Sequence, residues 1–215
     1  RVLDIEKQNS LGSVLNIGIQ SSNGSYIARM DADDIMYPTR IEKQIEVLEN
    51  NGDIVAVGGQ IDIINENSIV TGERKYALND RDIRRTFFWS QPFAHPSVMF
   101  RKDIALDIGM YPEDLPKVED VMFFFRLSTK GKFSNLPDKV IKYRMTYDTE
   151  SQAKMIDHFK RTSKVRERVI KELGIKPTVR QYILWNLEKI TVFCIQWLPH
   201  RLFMWVFELA RKIFK

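Results

Sequence analysis

Three aspartates within four positions are the residues of this sequence whose spacing first suggests chemistry. Asp31, Asp33 and Asp34 lie in the stretch YIARMDADDIMYPTR. Because carboxylates repel one another, this spacing predicts either an acidic loop tip in water or a shared cation. Hard oxygen ligands at positions i and i+2 suit Mg²⁺ or Mn²⁺, and substrate phosphates commonly complete the shell of Mg²⁺. As a metal site, the D-x-D pattern would use Asp31 and Asp33.

A second acidic pair, Glu119 and Asp120, opens the predicted helix in KVEDVMFFFRLSTKG. Aspartate is a favoured N-cap residue, so Asp120 could simply cap this helix. A carboxylate at this position could instead accept a proton from an attacking hydroxyl group, as a general base. The residues alone leave both interpretations open.

Two further residues are candidates for contacts with a substrate. His95 lies between two prolines in QPFAHPSVMF and could contact an acceptor or a phosphate, or form a hydrogen bond inside an ordered loop. Arg144 in KYR could contact phosphate through its guanidinium group, or could be an ordinary basic surface residue.

The elements around the aspartates indicate an α/β fold. A buried strand is predicted over residues 25–30, followed by a helix that begins at Pro38 and by a strand over residues 54–58. This order favours a parallel sheet, with DADD at the carboxyl end of a strand, where α/β proteins bind ligands. Additional helices are expected from Asn79 or Asp80 and from Glu119, and additional strands in SVMFRK and KVIKYRM.

Length and composition limit the classes of protein that fit. The chain has 215 residues, 44% of them hydrophobic, which suits one domain with an appendage and argues against general disorder. The single cysteine, Cys194, excludes an internal disulfide and fits a reducing compartment. A net charge of +5 suits an anionic ligand or a membrane surface better than dedicated DNA binding. No secretory signal is visible, so a cytoplasmic location is expected.

The last segment differs in composition from the rest. Residues 181–215 contain Trp185, Trp197 and Trp205, with arginines and lysines interleaved. This mixture is typical of helices that lie in a membrane interface, although the aromatic residues could also pack on a core or between subunits. We therefore expect a catalytic domain over residues 1–148 and a helical tail over residues 149–215, with peripheral contact to the inner face of the cell membrane as one interpretation.

Taken together, the quoted stretches resemble the family 2 glycosyltransferases of the GT-A fold. The resemblance runs through GSYIARMDADDIMYPTRIEKQIEVLENNGDIVAVGG, QPFAHPSVMFRK, VEDVMFFFRLSTKG and KYR, and covers residues 9 to about 146. It is strongest to bacterial members that build surface polysaccharides and glycolipids. It implies an α/β GT-A fold that lacks its first strand–helix units, followed by amphipathic C-terminal helices.

The resemblance also implies roles for the candidate residues. Asp33 would bind Mn²⁺ or Mg²⁺, Asp31 would bind the metal or the nucleotide ribose, Asp120 would be the general base, and Glu119 would help to position the acceptor. The implied reaction is inverting transfer of a sugar from a nucleotide-diphosphate donor to a saccharide or lipid-linked acceptor. UDP is the usual carrier in this family and is therefore the expected one.

Two other functions remain open at this stage. A metal-dependent nucleotidyltransferase would also pair aspartates with Mg²⁺, but it would not require the separate Glu119–Asp120 helix. A non-catalytic, membrane-associated interaction module would bind liposomes without turning over nucleotide sugars.

Overall fold

The computed structural model of the chain describes residues 2–145 and 151–195, with side chains from residue 156 to residue 194 in the second range. The chain forms two compact units, Arg1–Thr146 and Tyr147–Lys215. The boundary expected after Asp148 falls between the two described ranges. Trp197 and Trp205 lie outside the described residues.

The first unit alternates helices and strands. In chain order its elements are α1 (Leu11–Ser21), β1 (Tyr26–Ala28), β2 (Ile35–Met36), α2 (Arg40–Asn50), β3 (Ile54–Ile64), β4 (Val70–Arg74), α3 (Asp80–Thr86), a 3₁₀ turn (His95–Ser97), β5 (Met99–Arg101), α4 (Lys102–Asp107), α5 (Glu119–Ser128) and β6 (Lys132–Arg144). The predicted α/β class is therefore correct.

The sheet is mixed, so the expectation of a parallel sheet was wrong. Its strand order is β1-β5-β3-β6-β2, with β4 on the side of β3. Of these neighbouring pairs, β3 and β6 are hydrogen-bonded in parallel and the others are antiparallel. The first residue of β5, Met99, pairs with the last residue of β1, Ala28. Because β5 starts at the carboxyl end of β1, it runs antiparallel between β1 and β3. This topology brings the His95 loop to the end of β1 where the DADD stretch begins.

Element bounds differ from the sequence prediction in four places. Strand β1 covers only Tyr26–Ala28 of the predicted residues 25–30, and it is partly exposed rather than buried. Helix α2 begins at Arg40, with Thr39 at the N-cap, so Pro38 lies outside the helix. Strand β3 continues to Ile64, and β6 begins at Lys132, well before the predicted strand in KVIKYRM.

Buried polar side chains fix α2 against the sheet. Arg40 Nη2 donates a hydrogen bond of 2.8 Å to the carbonyl oxygen of Arg29. Gln44 Nε2 donates to the carbonyl oxygens of Val57 at 3.0 Å and Ser97 at 2.8 Å. Both side chains are almost fully buried, so their hydrogen bonds join α2 to the end of β1, to β3 and to the His95 turn.

An aromatic core supports α5. Phe123 stacks on Tyr111 with ring centroids 3.9 Å apart, and Phe124 makes edge contacts with Phe93 and His95. Phe125 packs edge-on against Phe87 and Phe88. Such packing fixes the position of the first turn of α5 relative to the His95 loop.

The second unit contains α6 (Ser151–Leu173) and α7 (Val179–Ile195). Trp185 Nε1 donates a hydrogen bond of 3.0 Å to Ser163 Oγ, and Arg166 pairs with Glu188. Within the described ranges, neither of these helices nor any other is both long and apolar enough to cross a membrane.

Candidate active site

The DADD stretch forms the loop that follows β1. The backbone N–H of Arg29 donates to the carbonyl oxygen of Val98 at 2.9 Å, which joins this loop to the segment before β5. Asp34 is buried, and its Oδ1 accepts a 2.9 Å hydrogen bond from the backbone N–H of Arg144. Burial, together with the charges of Asp31 and Asp33, raises the pKa of Asp34 to about 6. Asp34 therefore links the loop to the end of β6.

The two predicted metal ligands differ in their surroundings. Asp31 forms a two-point ion pair with Arg29, with Nη1 to Oδ2 at 2.8 Å and Nη2 to Oδ1 at 2.7 Å. Asp33 is exposed, and no hydrogen bond or ion pair from the described residues reaches its carboxylate. The Asp31 carboxylate is still 37% exposed, so both groups offer oxygen atoms to an approaching ion.

These carboxylates fit a divalent cation only as a partial shell. Among residues 2–145 and 151–195, no group of three or more His, Cys, Asp or Glu side chains could hold a metal by itself. One or two carboxylates completed by substrate phosphates and water is a common arrangement for Mg²⁺. The donor set therefore fits Mg²⁺ or Mn²⁺ bound together with a diphosphate.

Glu119 and Asp120 occupy the first turn of α5. The N-cap residue is Val118, without a side-chain cap, and Asp120 Oδ1 accepts a 2.9 Å hydrogen bond from the adjacent Val121 N–H. Asp120 thus does not act as the N-cap of this helix. Burial, and then the neighbouring charge of Glu119, raises the pKa of Asp120 to about 7. Glu119 is buried, and its Oε2 has no hydrogen-bond partner.

His95 and Tyr111 form a neutral pair beside this acidic turn. His95 Nε2 lies 2.9 Å from the Tyr111 hydroxyl oxygen. Burial and the charge of Arg29 hold the pKa of His95 well below its usual value, while burial holds the pKa of Tyr111 well above its usual value. Near neutral pH both groups are uncharged, so they can exchange hydrogen bonds with a hydroxyl group but add no net charge.

Sequence reasoning did not single out Tyr111, Asn16 or Arg29. The Asn16 amide of α1 binds both backbone groups of Tyr111, accepting from its N–H and donating to its carbonyl oxygen, each at 2.9 Å. The charge of Arg29 influences the pKa values of Asp34, His95, Tyr111 and Asp120. The signal for Arg29 was its position two residues before Asp31, just after a strand; no local pattern marks the other two.

Arg144 forms hydrogen bonds that hold the DADD loop. Its guanidinium donates to the carbonyl oxygens of Asp33 at 2.9 Å, Asn65 at 2.7 Å and Glu66 at 3.0 Å, and to Ser68 Oγ at 3.0 Å. Four of the five guanidinium hydrogens are engaged in this way. Phosphate binding by Arg144 stays a prediction, and it would depend on the remaining Nη2 hydrogen.

An open groove of about 390 Å³ lies between α1 and β1. Val14, Gly18 and Ile19 line its α1 side, and Arg29 and Tyr111 also contribute to its lining. The groove is mainly apolar, so it gives the Arg29 region a concave approach next to the DADD loop.

Comparison with known sequences identifies the family. A profile described as Glycosyl transferase family 2 matches residues 1–109, half of the chain. The chain is similar to the amylovoran biosynthesis glycosyltransferase AmsE of Erwinia amylovora, 29% identical over 214 residues, covering 98% of this chain and 77% of AmsE. It is also similar to the O-antigen biosynthesis glycosyltransferase WbnJ of Escherichia coli, 34% identical over 138 residues, covering 63% of this chain and 53% of WbnJ.

Comparison with solved structures supports the same fold. The mannosyltransferase PcManGT of Pyrobaculum calidifontis, solved with GDP-Man and Mn²⁺, matches with a TM-score of 0.52 at 13% identity. The match covers 86% of this chain and 50% of PcManGT, so this chain spans about half of that protein's length. The expected GT-A fold is confirmed, and the chain belongs to glycosyl transferase family 2.

Proposed function

We propose that this chain carries the metal and acceptor side of an inverting glycosyltransferase of bacterial surface-polysaccharide or glycolipid synthesis. The donor would be a nucleotide-diphosphate sugar, with UDP as the first carrier to test, and the acceptor a saccharide or lipid-linked hydroxyl group. One observation carries the proposal: a single unit contains both the Arg29–Asp31 ion pair of the DADD loop and a half-buried acid, Asp120, whose pKa burial raises to about 7 although the charge of Arg29 lowers it.

The chemistry requires a base for the acceptor and positive charge for the leaving group. The acceptor oxygen attacks the anomeric carbon, the bond from that carbon to the diphosphate oxygen breaks, and the nucleoside diphosphate leaves. The hydroxyl proton passes to the Asp120 carboxylate, which is half ionised near pH 7 and therefore well matched to neutral conditions. A single displacement inverts the anomeric centre and needs no covalent enzyme intermediate.

Asp31 and Asp33 are the residues that would bind a divalent cation. When bound, Mn²⁺ or Mg²⁺ supplies charge that stabilises the leaving diphosphate. Asp33 offers an exposed carboxylate, and Asp31 is oriented by Arg29. Glu119, buried beside Asp120, would help to position the acceptor, and His95 and Tyr111 would supply neutral hydrogen-bonding groups.

A peripheral contact with the inner face of a membrane is part of the proposal. Helix α7 buries Gln181, Trp185 and Val192 on one side. Its opposite side, which we name the outer face of α7, exposes the apolar residues Val179, Tyr182, Ile183, Leu187, Ile190 and Phe193. Residues 147–215 contain 14 Lys or Arg against 7 Asp or Glu, which favours an anionic lipid surface over other partners.

Nucleotide binding tests the metal part of the proposal. The full-length protein is titrated with UDP-, GDP- and dTDP-sugars, with and without Mn²⁺, by isothermal calorimetry. At least one sugar nucleotide should bind more tightly with Mn²⁺, and Asp33→Ala should abolish that dependence. Asp107→Ala, which removes an exposed carboxylate from α4, serves as the control. Metal-dependent binding that persists in Asp33→Ala would contradict the metal assignment.

A further inference from the structure

Arg29 is a buried cation at the start of the DADD loop. Its side chain is 5% exposed, and its two Nη atoms bind both oxygen atoms of Asp31. The backbone on either side is also fixed, since the N–H donates to Val98 and the carbonyl oxygen accepts from Arg40. A planar guanidinium held in this way sets both the position and the plane of the Asp31 carboxylate.

One guanidinium nitrogen of Arg29 is unpaired. Its Nε is buried and has no hydrogen-bond partner. An unpaired buried donor costs about 1–3 kcal/mol, so native proteins seldom keep one without a reason. Arg29 also lines the groove between α1 and β1, which is where a ligand could reach this part of the site.

Arg29 lies on the side of the groove that leads to α5, since Arg29 and Tyr111 line the same groove and Tyr111 stacks on Phe123 of α5. The charges of Glu119 on α5 and Arg29 after β1 change the pKa of Asp120. Asp120 in turn raises the pKa of Tyr111 after α4, and the Tyr111 hydroxyl contacts His95. Glu119 opposes ionisation of Asp120, and Arg29 favours it. His95 and Tyr111 are neutral, so Arg29 is the positive charge in this set.

We propose that Arg29 is a positioning residue that couples the two halves of the site, holding the Asp31 carboxylate in place and supplying positive charge to Asp120. The first action depends on the geometry of the guanidinium, and the second depends only on its charge. The two actions can therefore be separated by substitution. The proposal rests on the proposed function only for the metal, since the effect on Asp120 requires no bound ligand.

Three variants test this inference: Arg29→Gln removes the charge, Arg29→Lys keeps it without the two-point geometry, and Arg101→Gln is the control. Arg101 is a partly buried arginine that donates to the carbonyl oxygens of Leu48 and Ile54, so its loss affects packing without touching Asp31. The first readout is the titration of the Asp120 carboxyl carbon by ¹³C NMR, assigned with Asp120→Asn. The second is Mn²⁺ affinity in the presence of UDP, measured by electron paramagnetic resonance.

Arg29→Gln should move the titration midpoint of Asp120 upward and weaken Mn²⁺ binding about 10- to 100-fold, as is usual when a partner of a metal ligand is removed. Arg29→Lys should retain the midpoint but still weaken Mn²⁺ binding. Arg101→Gln should change neither.

An unchanged midpoint in Arg29→Gln, or an equal shift in Arg101→Gln, would overturn the proposed coupling. If Arg29→Gln does not fold, an Asp120 midpoint in Arg29→Lys that differs from the wild-type value would overturn it instead. If the wild-type protein binds no Mn²⁺, the proposed function fails, but the NMR titration still decides whether Arg29 acts on Asp120.

Discussion

The two carboxyl groups of the first turn of α5 differ in what they can do. Glu119 is buried with one oxygen unpaired, whereas Asp120 keeps partial access to solvent and has a pKa of about 7. A base must both reach its substrate and be ionised at the working pH. Asp120 meets both conditions, which is why we assign the proton transfer to it rather than to Glu119.

Asp120→Asn should reduce turnover about 10²- to 10⁴-fold, because an amide cannot accept the hydroxyl proton. Metal-dependent nucleotide binding should survive. The wild-type kcat/KM should rise with pH and level off above about 7, because the carboxylate is the active form. Steady-state kinetics between pH 5 and 9 and calorimetry with the nucleotide provide the measurements.

Asp103→Asn is the matched control for this substitution. Asp103 also lies in the first turn of a helix and accepts from the next backbone N–H, at 2.8 Å, but it is exposed on α4. Its replacement should leave turnover within twofold of wild type. Equal losses in both variants would mean that the Asp120 carboxyl group serves the helix rather than the reaction.

The raised pKa of Asp120 also predicts how stability depends on pH. Below about pH 4 the Asp120 carboxyl group is protonated in both the folded and the unfolded chain, so its burial does not lower the free energy of unfolding. Between about pH 4 and 7 the unfolded chain ionises first and the folded protein loses stability; above about 7 the cost is constant. Allowing for partial exposure, Asp120→Asn should be more stable than wild type by about 1–3 kcal/mol at pH 8.

Urea denaturation of the wild type and Asp120→Asn at pH 4 and pH 8 checks this prediction. The two proteins should be close in stability at pH 4 and should differ at pH 8. A difference that is the same at both pH values would show that the substitution acts through packing and not through ionisation.

At the scale of elements, a close contact between β3 and its neighbours supports the site. A Cβ atom on Gly58 would lie 2.3 Å from Asn135 Oδ1 and 2.5 Å from a ring carbon of Phe93. The Asn135 amide donates to Ala77 and Pro92, so it has little freedom to move. Phe93 in turn packs against Phe124 of α5, which links this contact to the turn that carries Asp120.

Gly58→Ala should therefore lower the free energy of unfolding by about 1–3 kcal/mol through overpacking. Gly18→Ala in α1 is the comparison, because a Cβ there meets nothing within 4 Å. It should raise stability by about 0.5–1 kcal/mol, since alanine is a better helix former than glycine. Chemical denaturation measures both, and destabilisation by Gly18→Ala would contradict the open space at that position.

At the scale of the whole molecule, charge is unevenly divided. Residues 1–146 contain 19 Lys or Arg against 21 Asp or Glu, so the excess of positive charge belongs to residues 147–215. A slightly acidic first unit and a basic second unit are consistent with the proposed contact of the second unit with an anionic surface.

Ile190→Glu should weaken binding to vesicles of phosphatidylglycerol and phosphatidylcholine at least tenfold, because it places a charge on the outer face of α7. Thr191→Glu introduces the same charge at the adjacent exposed position, outside the apolar set, and should have a much smaller effect. Vesicle co-sedimentation at low and high salt measures both variants. Equal effects, or equal binding to vesicles of phosphatidylcholine alone, would point to contacts within the protein as the role of this face.

The sequence by itself determined the fold class, most element positions and the family resemblance. The signals are local: spaced apolar residues predict α5, a continuous apolar run predicts β3, and a D-x-D after a strand indicates a metal–diphosphate site, whereas sugar transfer was implied by the family resemblance. Asn79 illustrates the same point, because its predicted capping role depends on residues within one turn, and its side chain accepts from the Asp82 N–H.

Only the tertiary structure decided which groups surround the acids. The i, i+4, i+7 spacing of Ile41, Ile45 and Leu48 predicts the apolar face of α2. Leu48 is fully buried, but Ile41 and Ile45 are less deeply buried than Arg40 and Gln44. Their partners are carbonyl groups distant in sequence, as are Tyr111 for Asn16 and the loop carbonyls for Arg144. The insertion of β5 beside β1 likewise depends on long-range pairing. Burial and electrostatic proximity arise from contacts between distant segments, so the near-neutral pKa of Asp120 and the position of Arg29 could not be deduced from the spacing of residues along the chain.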